Sequence, residues 1–164
     1  MKTNNKQLNT RLKNLKNKHM KKLVFAAMIT LFIGTTAFAA PKDAPYKSII
    51  ALKKAYQQSN QITWTKYESY QKASLVISGV STEMFYNLDG DLIGTSKTFA
   101  YDKLPKNALN QMAIKYAYPE YELIKCIEFV NADNETNYYL SLSGLNEDLY
   151  LQISEKGQIS ELNN

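Results

Sequence analysis

The chain has 164 residues, room for one domain, and a formal net charge of +5. That charge is lopsided: eight of the twenty basic residues precede position 40 and all fifteen acidic ones follow it, leaving twelve basic against fifteen acidic residues beyond that point, a net of −3. No basic stripe for nucleic acid is therefore expected. The only cysteine, Cys126, and the only histidine, His19, supply no intramolecular disulfide, no Cys/His zinc site and no Ser-His-Asp or Cys-His dyad. The expectation is a non-enzymatic protein with no cofactor and no metal.

Residues 1–39 read as a leader. Lys21 and Lys22 make a charged start, Leu23 to Ile33 is an apolar run, and Ala37-Phe38-Ala39 is a small-residue cleavage signal. The apolar run is too short to span a bilayer, so no membrane contact is expected after cleavage. Met20-Lys21-Lys22 reads as the natural beginning, and His19 leaves with the leader. The expectation is therefore a bacterial protein exported to the periplasm or beyond. Residues 40–45 (APKDAP) are expected to form a mobile N-terminal segment.

Tyr46 to Gln58 places Ile49, Leu52 and Tyr56 on one helical face. Four strands follow, Ile62 to Tyr67, Ala73 to Ser78, Thr82 to Leu88 and Leu92 to Phe99, rich in β-branched and aromatic residues. Trp64 lies in phase with Ile62 and reads as core. Asp89-Gly90 is the strongest turn signal, read as a two-residue hairpin in which Gly supplies positive φ. A second helix is expected from Leu104-Pro105, with Ala108, Leu109, Met112 and Tyr116 as its apolar face and Pro119 beyond its end. Strands return at Tyr121 to Val130, Asn137 to Ser143, Leu149 to Ser154 and around Ile159, and 131–135 forms the hairpin between the first two. Cys126 falls inside an alternating pattern and reads as a buried structural thiol.

The order helix then strands occurs twice. Ile77-Ser78-Gly79-Val80 matches Leu142-Ser143-Gly144-Leu145 at an offset of 65, and Met84-Phe85 then falls on Leu149-Tyr150. The expected fold class is accordingly α+β: a tandem repeat of helix plus antiparallel strands, 46–101 and 102–164, forming one sheet with two helices packed on one face.

The run Leu104-Pro105, an amphipathic helix, Tyr118-Pro119-x-Tyr121 and hairpins ending in an x-Gly turn resembles the PepSY-like family of bacterial periplasmic proteins, also described as like the β-lactamase inhibitor protein. Ile62-x-Trp64 and the stretch from Phe85 to Thr95 look like that family's tryptophan strand and Asp-Gly hairpin. The resemblance covers about Tyr46 to Leu162 and implies two helix-plus-sheet repeats, export and partner binding, as in relatives that inhibit hydrolases or regulate peptidases. Lys156-Gly157 stands where a second Asp-Gly would be expected, and no residue maps onto a β-lactamase contact, so inhibition of that enzyme is not implied.

Asn87, Asp89, Gly90 and Asp91 suggest calcium, but the register puts Phe85 and Ser96 at ligand positions where neither serves, so a hairpin is the better reading. Glu120 and Glu122 share a strand face without sign of a cleft and read as solvated acids rather than a catalytic pair. The twelve tyrosines are more informative. Alternation sets Tyr138, Leu140 and Leu142 against Tyr139, Ser141 and Ser143, and Leu149, Leu151 and Ile153 against Tyr150 and Gln152. If helices cover the leucine side, then Phe85, Tyr139 and Tyr150 stand on an open face suited to an unidentified protein or peptide partner. The competing reading is a structural or envelope-stress protein acting by self-association through exposed sheet edges.

Overall fold

The computed structural model describes residues 46–56 and 62–162. The expected leader, its cleavage signal and the 40–45 segment lie outside the described residues. Helix α1 (Tyr46–Ala55) is followed by β1 (Thr63–Lys66), β2 (Gln71–Ile77), β3 (Val80–Tyr86) and β4 (Leu92–Thr98). A 3-10 turn (Tyr101–Lys103) and helix α2 (Lys106–Lys115) lead into β5 (Tyr121–Asn131), β6 (Thr136–Gly144), β7 (Leu149–Ser154) and β8 (Ile159–Glu161).

All eight strands form one sheet in the order β1 to β8, every neighbouring pair antiparallel. The sheet is continuous across the middle of the chain through β4 and β5, where Thr95 pairs with Val130. Apart from β4 and β5, which the 3-10 turn and α2 connect, each strand reaches its neighbour through a short turn, and the turn chemistry is local. Ser78 and Gly79, at φ 51° and 80°, make the two-residue turn between β2 and β3.

The next hairpin differs from the two-residue turn expected at Asp89-Gly90. Gly90 N–H donates to the Asn87 carbonyl (3.0 Å), Asn87 N–H to the Asp91 carbonyl (2.9 Å), and Gly90 sits at φ 85°, so the loop is a three-residue one closed by a left-handed residue. The Asn87 side chain accepts from Asp91 N–H at 2.8 Å. The same device recurs twice. In 131–135, Asn134 (φ 62°) takes the glycine's place and Asn131 Oδ1 accepts from Glu135 N–H at 2.8 Å; in 154–158, Gly157 (φ 79°) does so and Ser154 Oγ accepts from Gln158 N–H at 3.1 Å. The Asn87 side chain and Gly90 thus serve hairpin geometry.

Buried side chains fall into three clusters. Leu104, Ala108 and Met112 pack with Cys126, Leu140, Leu142, Leu151 and Ile153; Leu52 packs with Ala73, Leu75, Met84 and Tyr86, with Trp64 and Tyr56 half-buried against them. The third cluster is Tyr70, Phe85, Ile93, Ile127, Phe129 and Tyr139. The register puts Ala73 opposite Met84 and Cys126 opposite Leu140, while Phe85 stands opposite Gly94 and Ile127 opposite Tyr139. The third cluster therefore occupies the other face of the sheet.

This overturns the expected fold class, α+β with two helices packed on one face as its defining layer. The molecule is dominated by an eight-stranded antiparallel sheet, and helix is minor: α2 buries only Ala108 and Met112, and of the side chains described in α1 only Ser48 and Leu52 are buried. The sheet is also not a one-sided layer, because its aromatic face is a core in its own right. Alternation of apolar residues on one face with aromatic ones on the other satisfied both sides, a pattern that strand periodicity alone does not distinguish from a half-wet sheet.

Candidate functional site

The aromatic face is the candidate. A row of rings crosses it: Tyr67 stacks on Tyr70 with centroids 4.4 Å apart, Tyr70 meets Phe85 at 5.9 Å, Phe85 meets Phe129 at 6.0 Å, and Phe129 meets Tyr139 edge-on at 6.2 Å. These spacings suit attraction between ring edges and ring faces. The row spans β3, β5 and β6 because β4 contributes no side chain where it crosses. Gly94 is the residue there, and a Cβ on it would overlap the Phe129 ring and lie 2.7 Å from the Val130 carbonyl oxygen. Next to it the β3–β4 ladder shifts register, with Phe85 opposite Gly94 and Tyr86 opposite Leu92. The extra residue, Ile93, is thereby turned onto the aromatic face. Tyr67 and Leu162 are partly buried and pack against the cluster.

Of the three residues expected on an open face, the structure places all on the side away from the leucine cluster, but only one at its surface. Phe85 is 0 % exposed and Tyr139 3 %. Burial pushes the Tyr139 hydroxyl up to about 12, so it stays neutral. Tyr150, opposite Ser141 on β7, is half-buried. Around it lie Gln152, whose side-chain amide donates to Asn137 Oδ1 at 3.0 Å, and Ser143, whose hydroxyl donates to Asp148 Oδ1 at 3.0 Å. At the other flank Lys72 pairs with Glu83 at 2.7 Å. The face has an aromatic floor and a polar rim.

Sequence reasoning missed Tyr67, Tyr70, Ile93 and Phe129. Phe129 was available from alternation, two residues beyond Ile127; Ile93 was not, because a bulge breaks the period that alternation reads.

Burial keeps the Cys126 thiol and the Tyr116 phenol in their neutral forms. Cys126 is buried as expected, and burial pushes its thiol up to about 12. Tyr116 is raised to about 12 by desolvation and by donating to Glu161 at 2.9 Å. Glu120 and Glu122 are exposed, as expected for solvated acids. Among the described residues no group of three or more His, Cys, Asp or Glu is placed to hold a metal ion, and no helix is long and apolar enough to cross a membrane.

No family model and no curated protein matches the chain. Solved structures do. A protein from Bacteroides eggerthii DSM 20697, provisionally described as periplasmic, superposes with a TM-score of 0.64 at 19% identity, over 74% of this chain and 89% of its own. A DUF2874 family protein from Bacteroides uniformis ATCC 8492 gives 0.62 at 18% identity, over 71% and 86%. A BLIP-like protein from Bacteroides fragilis NCTC 9343 gives 0.58 at 19% identity, over 74% and 89%. At such identities the likeness is one of fold: the chain has the BLIP-like fold.

Proposed function

We propose that this chain is an exported, non-catalytic binding module of the periplasm, kin to the PepSY-like proteins, that holds a protein or peptide partner on the aromatic side of its sheet. The observation that carries the reading is the row from Tyr67 to Tyr139, a floor of interlocked rings beneath a polar rim. A floor already packed costs little ordering entropy when a partner docks. Phe85 and Tyr139 act from below by holding the floor rigid; Tyr150, Gln152 and Asn137 are the contacts. The export half rests on the leader pattern and on a fold neighbour provisionally described as periplasmic.

Damped thiol and phenol groups favour occupancy over catalysis. Self-association through sheet edges is disfavoured, since the outer strands β1 and β8 are four and three residues long and carry Lys66 and Glu161.

The test is Tyr150→Ser, at a half-buried position whose loss should leave the melting temperature within a few degrees. Tagged wild-type and variant proteins are exposed to periplasmic extract of the source cells. A species retained by the wild type and lost with Tyr150→Ser supports the reading; identical retention by both sinks it.

A further inference from the structure

A second surface lies where β5 begins and β6 turns into β7. Tyr118 is 83 % exposed and Leu145 79 %, and the two loops carrying them lie side by side, because Leu145 N–H donates to the Glu120 carbonyl at 3.2 Å. A register shift between Leu123 and Lys125 leaves Ile124, which is exposed as well, out of the ladder. Single exposed apolar residues are ordinary; several gathered at one end of a sheet mark an interaction site.

The same loops carry Glu120, Glu122, Glu147 and Asp148, all exposed. Glu122 pairs with Ser143, the residue whose hydroxyl holds Asp148. Among the described residues none of these four carboxylates forms an ion pair; the pairs present are Lys72–Glu83, Lys97–Glu128 and Lys103–Asp102. Four carboxylates around apolar side chains select the occupant. A second copy would bring like charge against like, and an anionic bilayer surface would be repelled.

We propose that this end of the sheet docks a cationic polypeptide segment bearing aliphatic side chains. Tyr118, Leu145 and Ile124 supply contact area, while the carboxylates steer the segment in and exclude acidic competitors. The proposal uses neither Tyr150 nor the aromatic row, although Ser143 and Asp148 belong also to the polar rim around Tyr150.

It is tested with the protein expressed from the full chain and three short labelled peptides of alternating residues: Lys/Leu, Glu/Leu and Lys/Ser. Fluorescence anisotropy at low salt should show the Lys/Leu peptide bound, the Glu/Leu peptide unbound and the Lys/Ser peptide at least about tenfold weaker, with Lys/Leu binding falling steeply by about 0.5 M salt. The combined variant E120Q/E122Q/E147Q/D148N should weaken Lys/Leu binding about tenfold, as should Y118S/L145S, whereas D89N/D133N, in the distant hairpins, should not. All these positions are exposed, so folding should survive. Equal binding of the Glu/Leu peptide, no effect of the four-residue variant or an equal effect of D89N/D133N would overturn the proposal. So would a dimer in sedimentation that Leu145→Ser dissolves, which would give the surface to a second copy.

Discussion

The two faces of the sheet solve the same problem with different materials. On the helix side, Leu140, Leu151 and Ile153 are fully buried by interdigitating with one another and with Ala108 and Met112. On the other side, rings bury rings: Phe85 and Phe129 are as inaccessible as the leucines, yet the described residues that pack around them are Tyr67, Tyr70, Ile93, Ile127, Tyr139 and Leu162, drawn from strands and their flanks. An aliphatic face needs a separate element to cover it. An aromatic face can supply much of its own cover, since each ring is wide enough to reach across a strand and lie on the next, provided the strand between gives way at a glycine.

Truncations test that contrast most directly. Phe129→Ala, which removes the ring touching both Phe85 and Tyr139, should cost about 3–5 kcal/mol in chemical denaturation, and Leu140→Ala about 2–5 kcal/mol. If Phe129→Ala proves much the milder, the aromatic face is not a core and the contrast fails. Gly94→Ala should come next, at about 1–3 kcal/mol, because the new methyl meets the Phe129 ring and a carbonyl that cannot retreat. The penalty should shrink in a Phe129→Leu background, and a double-mutant cycle without such coupling would place the constraint elsewhere.

The smallest effect is electrostatic. Tyr139 titrates near 10 when unfolded and about 12 when folded. A raised value in the folded state means its contribution is complete below pH 10 and is lost as pH climbs toward 12. Cys126, Tyr86 and Tyr116, all pushed up to about 12, act in the same sense. Melting temperature should therefore fall across that alkaline window, and Tyr139→Phe, which keeps the ring, should flatten part of the fall.

The strands were legible because their signals are local. Alternation in 137–143 and 149–154 is unbroken, and it assigned Leu140 and Leu151 to one face and Tyr139 and Tyr150 to the other as the structure does. The hairpin at 131–135 was legible for the same reason. Turn type at Asp89-Gly90 was not, because the glycine's positive φ serves a two-residue and a three-residue loop alike, and only the hydrogen bond from Asn87 to Asp91 distinguishes them. Fold class was misjudged for a non-local reason: two amphipathic helices in the sequence imply a covered face, but say nothing of whether the opposite face is wet.

The sequence by itself determined where strands run, which residues alternate to which side and that Cys126 is buried, since each follows from spacing along the chain. Only the tertiary structure decided that Phe85 and Tyr139 are floor rather than contact surface and that Gly94 lets Phe129 cross. It alone brought Leu145 beside Glu120. Those facts depend on which strands become neighbours and in what register, and a residue's exposure is set by what lies across from it rather than by what precedes it.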